Sequence, residues 1–380
     1  MEAMKKLSSH LEKRRSELKK MKEEGARIVA YSPNAYMPEE LIYAADAIPL
    51  ALNHGGDSDA VQASAPYLMR YLDSFCRAQI GYRVLGKESL YQLPELLIVP
   101  VTDLNVRGIA DSWEFFTDVE VYRLGVPHLK TGHGFQHFLD GLNLLKERLE
   151  RLTGRKITER RLHKEIVASN RLRELLRKTS LLRKSEDPPI RGKDFIALSH
   201  ASLYADRQTM IEVLQSLSTN GKRGRKTGSK GPRVLLTGST LALGDDQVVD
   251  LLEEAGASIV IEEFCEGLRD YWDPVAEDGE PMRALAEGYF MRRVPGAFFR
   301  GATPERIAFL SKLIADFRVD GVVWYSLLYR ETYGIEAYLF QRAADQMKIP
   351  VLNIASDYDA SETGALRTRI ETFVETLKRR

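Results

Sequence analysis

Arg330 and Glu331 follow "GVVWYSLLY" (321–329), in which Val322, Val323, Trp324 and Tyr325 suit a covered strand. A charged pair so placed stands near the carboxyl end of a strand, where open α/β sheets bind their ligands. A second polar group gathers in "SDYDASETGALRTRIETFVETL" (356–377). A strand closes on Asp357, Asp359 comes next, and beyond Gly364 a helix opens with Arg367 and Arg369. If the two strands are neighbours, Asp357, Arg367 and Arg369 share an edge with Arg330 and Glu331 and line a substrate channel. A helix-capping cluster is the plainer alternative.

Other residues offer less chemistry. Thr237-Gly238-Ser239-Thr240 joins a strand to a helix, where backbone N–H groups can cradle a phosphate. It lacks the lysine of a Walker loop and two glycines of G-x-G-x-x-G, so a tight turn is the simpler account. His133 and His137 are four apart, with His128 nearby, yet no Glu stands between them as in H-E-x-x-H. The glycines beside His133 predict a loop. G-x-S-x-G is absent. The pairs Glu262-Glu263 and Asp245-Asp246 read as solvated charge at element ends. Cys76 and Cys265 are the only cysteines, which excludes both a disulfide framework and a self-contained four-cysteine site.

The elements that must position these residues alternate between strand and helix. "RIVAYSP" (27–33), a short strand after Pro49, "ELLIVP" (95–100) and "VEVYRLGVP" (119–127) read as strands. Helices are expected over 5–24, 37–52, 65–86 and 105–117. Residues 135–181 are almost all helix formers, broken once at Thr153-Gly154, and 195–218 continues helically. The α/β pattern then restarts. Strands are expected at 233–240, 258–264, 320–327 and 349–357, and helices at 245–257, 303–319 (capped by Thr303), 335–347 and 362–379. Such alternation means parallel sheets. The fold class is α/β, with two Rossmann-like (flavodoxin-like) parallel-sheet domains and an added helical layer. The divisions are an N-terminal helix (1–24), a first α/β domain (25–134), the helical layer (135–217), a basic, glycine-rich linker (218–232) and a second α/β domain (233–380).

Formal net charge is +1, so no global field draws the chain to nucleic acid or a membrane. No run of about 18 apolar residues is present, and the first 25 residues lack the apolar core of a signal peptide. A cytoplasmic location is expected.

Five stretches in order resemble one family over nearly the full length: the subunits of 2-hydroxyacyl-CoA dehydratases and benzoyl-CoA reductases. They are "MPEELIYAADAIPL", "LTGRKITERRLHKEI", "RVLLTGST", "VDGVVWYS" and "IPVLNIASDYD" with "TGALRTRIETFVE". The resemblance implies two Rossmann-like domains with an iron–sulfur cluster held between them by three cysteines. The first cysteine place is Cys76, the one metal ligand this chain offers. The second matches Asp103 in "PVTDLNVRGIADSW", and the third matches Arg330. Arginine stays protonated and offers no lone pair to a metal. Arg330 is therefore expected to pair with Asp103, neutralising a carboxylate that would otherwise be buried alone.

The resemblance also implies a homologous partner subunit carrying the 4Fe–4S cluster, and an ATP-hydrolysing iron–sulfur activator that supplies it with a low-potential electron. The substrate is an acyl-CoA, and the reaction is either loss of a 2-hydroxyl group or ring reduction through a ketyl radical. This chain, without a standard cluster of its own, would supply part of the interface and substrate channel, with polar contacts from Ser32 or Glu331. Two alternatives remain open: a non-catalytic scaffold, and a stand-alone α/β enzyme with an altered metal site.

Overall fold

A computed structural model describes residues 2–221 and 231–380. Two four-stranded parallel sheets share one plan. The first contains β1 (Ile28–Tyr31), β2 (Ile48–Ala51), β3 (Leu96–Val101) and β4 (Glu120–Gly125), ordered β2-β1-β3-β4. The second contains β5 (Arg233–Gly238), β6 (Ser258–Glu263), β7 (Gly321–Leu327) and β8 (Val351–Ser356), ordered β6-β5-β7-β8. All pairings are parallel. The central strands are covered on both faces, which is why β3 and β5 read as continuous apolar runs rather than alternating ones. In each sheet the order reverses beside the first strand, between β1 and β3 and between β5 and β7. Crevices at such switch points lie beyond the carboxyl ends of the strands. Asp103 follows β3 and Arg330 follows β7.

Helices Gly132–Thr153 and Glu159–Leu181 form most of the added layer. Gly154, left-handed at φ 68°, ends the first, and the Thr158 side chain caps the second. The N-terminal helix Glu2–Glu23 buries Leu7 and Leu18. The layer is tied to both α/β units by buried ion pairs: Arg173 with Glu40 of helix Glu39–Ala44 (2.7 Å) and Arg183 with Glu262 of β6 (2.6 Å). The two α/β units also meet directly. The Gly55 N–H donates to the Leu243 carbonyl (2.9 Å), the Leu243 N–H donates to the Asn53 carbonyl (2.8 Å), and one apolar core runs through both.

Several expected boundaries shift. The helix expected over 65–86 begins only at Ser74, where Asp73 caps Ser74–Leu85; a separate short helix, Ser58–Ala63, precedes it and ends before Pro66. Residues 195–218 likewise divide into Gly192–Ala201 and Arg207–Gly221. Thr303 is the first helical residue rather than the cap, and its helix has no side-chain cap bond. His133 and His137 lie within helix Gly132–Thr153, not in a loop. Of the expected basic linker, Ser218–Gly221 continue a helix, and residues 222–230 lie outside the described residues.

Candidate functional site: a buried arginine between the two sheets

Arg330 is the N-cap residue of helix Glu331–Met347, and its side chain turns back into the interior at 7% exposure. Its Nη1 lies 3.0 Å from Asp73 Oδ2, and its Nη2 lies 3.4 Å from Asp103 Oδ2. Cys76 Sγ is 3.9 Å from Nη1, and the Tyr333 ring packs 5.3 Å from the guanidinium carbon. Arg330 belongs to the second α/β unit and its three polar neighbours to the first.

The acids have local reasons to be there. Asp73 caps helix Ser74–Leu85 by accepting from the Cys76 N–H (2.8 Å), and Asp103 caps helix Leu104–Phe116 by accepting from the Val106 N–H (3.1 Å). Two helix N-termini thus converge on one point with their caps, and their dipoles favour negative charge there. Arg330 is the counter-ion. Burial works against its charge, but Asp103 and then Asp73 outweigh it, so its pKa rises above the ordinary arginine value. Burial, reinforced by Asp73, pushes the Cys76 thiol well up against the opposing pull of Arg330.

Asn105 completes the pocket. It accepts from the Asp73 N–H (2.8 Å) and donates to the Tyr329 carbonyl (3.0 Å). Tyr329 is left-handed at φ 66°, a strained setting for a bulky side chain. One amide therefore joins a helix cap in the first unit to the residue that aims Arg330 in the second.

An iron–sulfur cluster does not fit this donor set. The pocket offers one thiol, two carboxylates already engaged by backbone N–H groups, and a cation at its centre. Among the described residues, no group of three or more His, Cys, Asp or Glu side chains is arranged to hold a metal ion. Cys265 does not join Cys76: its thiol donates to Glu266 Oε1 (3.1 Å), and burial, reinforced by Glu266, raises its pKa.

The other candidate residues separate. Ser32 follows β1, is 1% exposed, and donates its N–H to the Ile98 carbonyl (3.0 Å). Glu331 is exposed at the first turn of its helix. Asp357 is exposed beyond β8. Arg367 and Arg369 do not line a channel with Arg330. Helix Thr363–Lys378 buries Leu366, Ile370, Phe373 and Val374, which turns residues 367 and 369 outward. Arg367 pairs with Glu254 (2.8 Å), and Arg369 donates to the Asn353 carbonyl.

The turn after β5 is a packed junction: the Leu327 N–H donates to Ser239 Oγ (3.0 Å), and a Cβ on Gly238 would lie 1.7 Å from the Tyr325 carbonyl oxygen. The three histidines do not form a site; His128 is bonded to the Thr102 carbonyl (2.7 Å), while His133 and His137 are exposed.

The model of the 2-hydroxyglutaryl-CoA dehydratase D-component family matches residues 34–377. The chain belongs to that family. It is 26% identical to the putative dehydratase subunit YjiM of Escherichia coli (strain K12), over 94% of this chain and 93% of the relative. It is 22% identical to a benzoyl-CoA reductase subunit of Thauera aromatica, covering 93% and 91% of the two chains. With the beta subunit of (R)-2-hydroxyglutaryl-CoA dehydratase from Acidaminococcus fermentans the identity is 20%, over 95% of each. In this family member the three positions that the sequence resemblance assigns to cluster ligands, Cys76, Asp103 and Arg330, meet in one pocket.

Asp73 and Asn105 were not legible as pocket residues. Asp73 stands three positions before Cys76, the spacing of an N-cap, and could have been found that way. Nothing in the sequence pairs Asn105 with residue 329. Of the acidic pairs expected to be solvated, Asp246 is exposed, but Glu262, Glu263 and Asp245 are buried. Glu262 accepts from Arg183 and Tyr271, and Glu263 accepts from Arg269, Arg306 and Thr237. Asp245 accepts from the Tyr325 hydroxyl (2.7 Å), and burial raises it to about 7. These carboxylates are buried because partners distant in the chain satisfy them.

Proposed function

We propose that this chain is the cluster-free subunit of a two-subunit acyl-CoA enzyme of the family. The observation that carries the reading is Arg330, held by Asp73 and Asp103 where the resemblance places a metal ligand. The partner is a homologous subunit that keeps its cluster cysteines and is served by an ATP-dependent iron–sulfur activator. The substrate is a CoA thioester, as the relatives named for benzoyl-CoA and 2-hydroxyglutaryl-CoA suggest. This chain contributes the interface and the wall that closes the partner's site, in the cytoplasm. Ser32, Asp357 and Glu331 stand at or just beyond the strand ends and are its candidate contacts to substrate.

Anaerobic iron and acid-labile sulfide analysis tests the reading, with the chain purified alone and with a cysteine-complete family subunit. Iron in the complex and none in the lone chain is the expected result. About four irons per lone chain would overturn it. A scaffold that binds no CoA shares the Arg330 observation. Photo-crosslinking of an acyl-CoA probe in the complex separates the two, since only the enzyme-subunit reading expects label on this chain.

A further inference from the structure

A cleft of about 380 Å³ lies between helix Glu159–Leu181 of the added layer and residues 271–277 of the second α/β unit. Its volume is that of a small-molecule site, and it shares no residue with the Arg330 pocket. Val167, Tyr271, Trp272 and Pro274 give it an apolar wall. Val167 and Pro274 are exposed, so the wall is reachable from solvent.

The acids and the cations of this cleft differ in how far they are engaged. Glu174 accepts from Arg171 (2.7 Å) and from Lys178, and Glu277 accepts from Asn170 (2.9 Å). Both carboxylates therefore have partners. Arg177 donates Nη1 to the Trp272 carbonyl (3.2 Å), and its guanidinium lies 4.8 Å from the Trp272 ring centroid. It has no carboxylate partner among the described residues, and the charge of Asp273 reaches it only through space. Arg173 lines the same cleft at 6% exposure. Its Nη groups are committed to Asn170, Glu40 and Tyr289, while its Nε has no partner. Such a buried donor is costly unless something from outside the chain meets it.

We propose that this cleft binds a small aryl carboxylic acid, with the carboxylate received by Arg177 above Arg173 and the ring laid against the Trp272–Pro274 wall. A planar guanidinium matches a carboxylate in shape and charge, and its face and the indole beside it suit a flat ring. A bare inorganic anion would leave the apolar wall uncovered. A polyphosphate would need more free cations than these two and would face Glu174 and Glu277. The site is independent of the two-subunit reading, because every group in it belongs to this chain.

Isothermal titration of the full chain with benzoate, with its neutral isostere benzamide and with inorganic phosphate tests the site. Benzoate should bind, and benzamide and phosphate should bind at least tenfold more weakly. Arg177→Met should weaken benzoate at least tenfold. Glu174→Gln removes a negative charge from the rim without touching the wall, so it should tighten benzoate and leave benzamide unchanged. That second variant reads the same charge preference even where Arg177→Met fails to fold. Equal affinity for benzoate and benzamide overturns the anion assignment, and phosphate as tight as benzoate overturns the aryl one. Benzoate binding that neither substitution alters overturns the placement in this cleft. No binding of benzoate at millimolar concentration overturns the site altogether.

Discussion

Arg330 shows how much one side chain can change. A buried cation between two carboxylates adds little stability compared with apolar side chains of the same volume, but removing it alone leaves charge with no counter-ion. Arg330→Met should therefore destabilise the chain by about 3–5 kcal/mol in urea denaturation. Arg330→Met combined with Asp73→Asn and Asp103→Asn should recover much of the loss, because asparagine still caps both helices. A single-variant loss below about 1 kcal/mol would mean that water already neutralises the acids, and the counter-ion account would fail. Arg330→Lys should fall between, since a point charge cannot span two carboxylates as a planar fork does. That Arg330 and Asp103 would meet could be argued from charge at matched motif positions. Asp73 makes the shorter contact and was not anticipated, because a capping residue looks the same in sequence whether or not a distant arginine needs it.

Helix packing places those residues. In helix Ser74–Leu85 a Cβ on Gly81 would stand 1.8 Å from the Ala60 carbonyl oxygen of the neighbouring short helix. Backbone cannot give way as a flexible side chain can, so Gly81→Ala should cost about 1–3 kcal/mol or more through overpacking. It should also shift the Asp73 cap relative to Arg330. Gly154→Ala makes a useful contrast: it meets nothing within 4 Å but sits at φ 68°. Its cost should be about 1 kcal/mol, from backbone strain alone. Denaturation of both variants checks the order, and an equal or reversed order would show that the two helices can part cheaply. Strands and long helices were legible at this scale because their periodicity and caps are local. Breaks such as that before Asp73 were legible only in part, since Pro66 marks a possible helix end without fixing where the next helix starts.

Taken whole, the molecule keeps several buried carboxyls that prefer their protons. Burial raises Asp245 and Glu266 to about 7 and Glu39 to about 8. Their unfolded values lie near 4, so between about pH 4 and 8 the folded state holds protons that the unfolded state releases. Stability from these groups falls as pH rises through that window and levels off above it. Glu263 acts in the opposite sense. Burial would raise it, but Arg269 and Arg306 hold it below its ordinary value, so its contribution is lost as pH falls. Thermal melts should show declining stability from about pH 5 to 8. Asp245→Asn should flatten that decline and raise the midpoint at pH 8, because an amide still accepts from Tyr325 without a charge to bury. An unchanged slope would show that Asp245 is ionised in the folded state. The α/β alternation, the family motifs and the scarcity of cysteine follow from the sequence alone, since each is written in local order or in counts. Only the tertiary structure decided that Asp73, Asn105 and Tyr329 belong to the Arg330 pocket, that Arg367 and Arg369 do not, and that Glu262 and Glu263 are buried. Those outcomes depend on which helix ends and strand ends meet in space, and ion pairs more than two hundred residues apart leave no spacing in the chain to read.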